Sequence, residues 1–120
     1  MLAALAAGQY ATGGGPIKNV YVNHPRYGNQ PIPSRYSFTD SEIEAGHWRY
    51  SSLKYFAQTA IPANISKQRF AVYSRSIYVD IEETCEVCGR RFLFFALEQK
   101  WWFEEVQFWV DAHCTRCIGC

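Results

Sequence analysis

No stretch of this 120-residue chain approaches the ~18 consecutive apolar residues that a membrane-spanning helix needs. Charge of one sign is lacking too. Twelve Lys and Arg stand against eleven Asp and Glu, a net charge of +1, which excludes a polyanion binder held by bulk electrostatics. Charged residues are only 19% while aromatics reach 17%, the reverse of a disordered chain. Internal repeats are missing. So are the signatures of common metal and phosphate enzymes: no HExxH, no HxE ahead of a PCxxC, and no Lys-Ser/Thr after Gly13-Gly14-Gly15. Met1 to Ala7 is apolar but has no basic flank and soon meets Gly8, so it does not read as a secretory signal. A cytoplasmic protein is expected. Cysteine is absent before Cys85, and all five cysteines follow from there. In a reducing compartment such clustering means metal more often than disulfide.

What is present divides the chain in three. Residues 1–35 concentrate Gly8, Gly13, Gly14, Gly15 and Gly28 with Pro16, Pro25, Pro31 and Pro33, so they are expected to be irregular and partly mobile. Val20 to Val22 could form a short strand within them. Residues 36–76 read as an accessory segment. Thr39-Asp-Ser-Glu42 is a capping-box pattern, predicting a short helix near 40–46 that ends at Gly46. Trp48 to Tyr50 and Leu53 to Phe56 read as extended pieces, and Asn64 as the cap of one helical turn. Residues 77–120 read as the metal-binding domain. Ile77, Val79 and Ile81 alternate with Tyr78, Asp80 and Glu82, which predicts a half-buried strand leading into Cys85.

Cys85-Glu-Val-Cys88-Gly89 is a CxxC followed by glycine, and Cys114-Thr-Arg-Cys117 is a second CxxC. Two intervening residues let both sulfurs of a pair reach one tetrahedral ion from a tight turn. Gly89 permits the backbone twist that aims amides back at sulfur. Four soft thiolates suit Zn2+. The gap between the pairs slightly exceeds the usual ~15–20 residues, and a patterned insert fills it. A redox disulfide pair and free structural thiols are the competing readings. In the insert, Arg90 to Phe95 predicts a strand and Ala96 to about Val106 a helix. Leu97, Trp101, Trp102, Val106 and Trp109 fall near helical spacing as its inner face, with Glu98, Glu104 and Glu105 as a solvated face and Phe103 and Phe108 as rings left exposed. The step of three through Cys114, Cys117 and Cys120 predicts a further helical turn under the second pair. The fold class is therefore α+β: a small zinc-ribbon or treble-clef-like unit with an irregular N-terminal extension.

The stretch from Tyr78 to Cys120 resembles a zinc-ribbon (treble-clef-like) domain family of uncharacterised bacterial proteins. The resemblance rests on Cys85 to Gly89, the aromatic strand Phe92 to Phe95, Glu98-Gln99 with Trp101-Trp102-Phe103, and the closing Cys114 to Cys117. It implies four zinc ligands: Cys85, Cys88, Cys114 and Cys117. It implies no activity. Basic residues usually follow at this point in the family, whereas this chain stops at Cys120, so truncation is an expectation. Cys120 could compete as a ligand but reads as a leftover thiol. His113 could stand in for a cysteine, and His24 and His47 read as packing or hydrogen-bonding residues.

The expected function is a zinc-binding protein with a closed structural tetrathiolate, serving as a protein-interaction module and not an enzyme. Four cysteines leave no open position for substrate or water. An RNA- or ribosome-associated zinc module is the first alternative, prompted by Lys100-Trp101-Trp102-Phe103. From Cys85 onward, however, four basic groups meet five acidic ones before the zinc-thiolate centre subtracts about two more charges. A redox-sensing zinc-thiolate switch is the second alternative.

Overall fold

A computed structural model describes residues 21–69, 73–110, 112 and 114–120. The first helix, α1, spans Asp40–Gly46. Its capping box forms as the sequence predicts: the Glu42 amide donates to Thr39 Oγ1 and the Thr39 amide to Glu42 Oε1. Strand β1 covers Tyr55–Pro62, β2 Ile77–Thr84 and β3 Arg91–Phe94. They pair in the order β1-β2-β3, antiparallel throughout. The β1–β2 register shifts between Phe56 and Ile61. Thr59 mends the gap, its hydroxyl donating to Phe56 O and accepting from the Asp80 amide. Asn64 caps a single 3-10 turn, Ile65–Lys67. A second such turn, Tyr50–Ser52, lies where the sequence predicts extended chain. Val20 lies outside the described residues; Tyr21 and Val22 do not form the expected strand, although the Val22 amide donates to Arg91 O.

Strand β2 is buried on both faces from Ile77 to Ile81, not on one as its alternation suggests. One side is covered by Ile43 and Tyr50 from the accessory segment with Ala96, Phe103 and Val110. The other is covered by Tyr21, Tyr27 and Ile32, which pack with Leu93, Phe95 and Phe56. β3 alternates between these layers, with Phe94 in the first and Leu93 in the second. The accessory segment thus supplies part of the core against which the cysteine-bearing hairpin is built. Its aromatics would have too little surface to bury alone.

Helix α2 spans Ala96–Lys100 and widens into a π-turn over Trp101–Glu105. Its inner face differs from the expected one. Ala96, Gln99, Phe103 and Glu104 are buried, while Leu97, Trp101, Val106 and Trp109 are exposed. Phe103 is fully enclosed, whereas Phe108 is exposed as predicted. The cause is polar. The buried Gln99 amide donates to Val79 O and Phe94 O, and its oxygen accepts from Tyr50 Oη. Asp80 Oδ1 accepts from the Ala96 amide and so pins the helix start. Glu104 accepts from Lys100 Nζ and the Asn64 amide at 2.8 Å each. An apolar periodicity cannot register a helix that turns Gln and Glu inward. The π-turn, with the Val106 amide donating to Trp101 O, then moves the following residues off the expected stripe.

Candidate metal centre

The β2–β3 hairpin ends in the first cysteine pair. The Cys85 amide donates to Arg90 O and the Gly89 amide to Cys85 O, both at 2.9 Å. Gly89 adopts φ +75°, a left-handed conformation that a side chain would strain. That twist turns the Val87 and Cys88 amides toward Cys85 Sγ, each 3.4 Å away. The Glu86 amide donates to Thr115 O at 2.8 Å and ties this turn to the chain end. There Cys117-Ile-Gly-Cys120 makes a second tight turn, closed by the Cys120 amide donating to Cys117 O at 3.0 Å.

The sulfurs of Cys85, Cys88, Cys117 and Cys120 all lie within 4.8 Å of one another. Cys88 Sγ is 3.7 Å from Cys117 Sγ, and Cys117 Sγ is 3.7 Å from Cys120 Sγ. Sulfurs placed about 2.3 Å from a tetrahedral zinc would sit about 3.8 Å apart along each edge. A disulfide would need about 2.05 Å. The donor set and spacing therefore fit a tetrathiolate ion site, and all five cysteines are unpaired.

The structure gathers three of the four cysteines that the resemblance implies, and it puts Cys120 where Cys114 was expected. Cys114 points elsewhere. It packs against the main core and against the Cys85–Phe92–Cys117 cluster, and its thiol donates to Arg116 O at 3.2 Å. Cys120 is drawn in because the chain from Cys114 to Cys117 is not a helical turn. The turn comes one step later, over Ile118-Gly119. Cys117 to Cys120 is itself a CxxC, overlapping the other, and glycine just before its second cysteine is the signal that could have selected it. His113 lies outside the described residues. His24 and His47 serve local structure: His24 Nδ1 accepts from the Arg26 and Tyr27 amides, and His47 Nδ1 from the Arg49 amide.

Protonation within the cluster is shared unequally. Amides of Cys117, Cys88 and Val87 hold the Cys85 thiol down to about 6. Arg90, whose Nε is 3.5 Å from Cys88 Sγ, lowers that thiol as well. Cys120 is pushed up to about 12 by the sulfurs of Cys117, Cys88 and Cys85, which favour its proton. Burial, ahead of nearby charges, pushes Cys114 up to about 11. A divalent ion would displace the protons of the four gathered sulfurs, so metal binding and proton release are linked there.

Glu98 is half-buried, 3.4 Å from His24 Nε2, and Glu104 is enclosed, so the expected solvated acidic face reduces to Glu105. Among the described residues no helix is long and apolar enough to cross a membrane. Residues 79–120 match the family model described as "Probable treble clef domain". No curated protein and no solved structure matches the chain.

Proposed function

We propose that residues 79–120, a treble-clef-like zinc-binding unit, hold one structural Zn2+ through Cys85, Cys88, Cys117 and Cys120, and that the protein works as a module for binding another protein. The observation that carries the metal reading is the set of four sulfurs at tetrahedral spacing. A closed thiolate shell offers no coordination position for substrate, so the ion's work is to hold the chain together, not to turn anything over. Five unpaired thiols suit the reducing cytoplasm.

Near-zero net charge favours a protein partner over RNA. The exposed side chains of Leu97, Trp101, Val106 and Ile118 supply apolar surface for one. Elemental analysis of purified protein tests the metal reading, with about one zinc per chain expected. Retention on single-stranded RNA at two salt concentrations tests the partner class: retention that falls steeply with salt would move the assignment to RNA. Zinc release under mild peroxide would instead support the redox switch.

A further inference from the structure

Beside the Cys117–Cys120 turn lies a cleft of about 260 Å3 walled by Phe92, Leu93 and Trp102, with Glu98, Cys117 and Cys120 along its polar side. We propose that this cleft receives an arginine side chain from a partner polypeptide. The inference rests on the zinc-module reading above and names the chemistry that the partner presents.

Charge argues for a cation. Four thiolates around a divalent ion carry a net charge of about −2, and Glu98 adds a carboxylate. The cationic groups on the lining are Arg116 and His24. Arg116 is drawn outward to Glu86, its Nε 3.5 Å from the carboxylate, in a pair that is largely exposed. His24 Nε2 already lies 3.4 Å from the Glu98 carboxylate. The same charges disfavour a phosphate-bearing guest.

The apolar walls argue for a long stem behind the charge. Arginine combines a three-carbon stem with a planar, weakly hydrated head that stacks on indole and donates several hydrogen bonds to anionic acceptors. The volume is smaller than the ~300–1,000 Å3 of pockets for drug-sized ligands, and so suits a single side chain. A second cleft of about 310 Å3 shares His24, Glu98, Trp102 and Ile118 with the first and continues past Arg26, Tyr27 and Trp101. A guest can therefore run on from one cleft into the next, which a chain does and a free small cation does not.

The test uses the full chain, 15N-labelled, at pH 8, with zinc content measured beforehand. The probe is an acetylated and amidated pentapeptide, Ala-Leu-Arg-Leu-Ala, and the control is the same peptide with neutral citrulline for arginine. Saturable shifts are expected at the Trp102 indole and at the Glu98 and Ile118 amides. The citrulline peptide should bind at least about fivefold more weakly. Glu98→Gln should weaken the arginine peptide by a similar factor. Ile118→Lys, at an exposed position within the Cys117–Cys120 turn, should do the same while keeping its zinc content. Equal binding of the two peptides, shifts confined to another surface, or a zinc-loaded chain indifferent to the arginine peptide would each overturn the proposal and leave the zinc reading standing. A chain that purifies without zinc would overturn both.

Discussion

Exchanging Cys120 and Cys114 separately for serine separates the two possible ligand sets. Zinc supplies on the order of 10–16 kcal/mol in small tetrahedral domains. If four equal sulfur bonds share that, losing one removes about 2.5–4 kcal/mol, a rise in dissociation constant of about 100- to 1,000-fold. Cys120→Ser should show that loss, because the Cys120 sulfur stands 3.7 Å from Cys117 Sγ at the edge of the shell. Cys114→Ser should not. Its sulfur is engaged with Arg116 O, a hydrogen bond that a serine hydroxyl can keep. The cost there is the poorer burial of a hydroxyl against Phe92, about 1 kcal/mol of fold stability, with zinc affinity changed by less than about threefold.

The assay is competition with a chromogenic chelator, read beside the absorption of the Co2+-substituted protein, whose band intensities report tetrahedral thiolate coordination. Thermal melts in excess zinc account separately for any loss of folding. If Cys114→Ser surrendered its metal while Cys120→Ser retained it, the pairing of Cys117 with Cys120 would be wrong, and the helical reading of the second motif would return.

Three other perturbations probe what supports the site. Gly89→Ala should lower zinc-loaded stability by about 1–2 kcal/mol in a chemical melt, purely from the positive φ, since no atom stands within 4 Å of the added Cβ; an unchanged midpoint would mean that the turn is not strained. Arg75 is fully buried and donates to Val110 O, Ala112 O and Gln99 Oε1, with its guanidinium carbon 4.6 Å from the Phe103 ring centre. Arg75→Ala should therefore cost upwards of about 3 kcal/mol, and Arg75→Lys most of that; a loss below about 1 kcal/mol would refute the clamp. Asp80, whose carboxylate accepts the Ile32 and Ala96 amides, has a pKa raised to about 6, chiefly by burial. Its protonated form is the one that favours folding, so its contribution is full below about pH 4 and withdrawn as pH rises through 6, by about 3 kcal/mol. The wild-type-minus-Asp80→Asn stability difference should carry that slope, metal release being common to both, and a flat difference between pH 4 and 7 would refute it.

The parts of this fold legible in the sequence were those set by local chemistry. Thr39 and Glu42 need only each other, and the α1 cap forms as read. The Cys85–Gly89 turn is likewise a matter of five residues, where glycine meets a backbone that no other residue enters without strain. The strands follow from β-branched and aromatic runs. Reading failed where a residue answers to something distant in sequence. Gln99 turns inward to reach Val79 and Phe94, and Glu104 to reach Asn64, and both inversions carry Phe103 into the core.

The presence of Cys120 in the sulfur cluster in place of Cys114 has the same origin. Cys114 and Cys117 are as well spaced as Cys117 and Cys120, so spacing alone is degenerate. What separates them is the tertiary position of residue 114. Its sulfur is held beside Phe92 by the end of the chain's return from α2 across the core, and the Glu86–Thr115 backbone bond then sets Cys117 over the first turn. From that point Gly119 allows a tight reversal, and Cys120 is the next sulfur to arrive. The fifth cysteine thus joins the sulfur cluster, and the thiol left over is that of Cys114, half-buried against the aromatic core. That arrangement also protects the site from a competing register. A chain that coordinated through Cys114 would have to withdraw that side chain from the core, break the Cys114–Arg116 contact and move Cys120 from its place 3.7 Å from Cys117 Sγ.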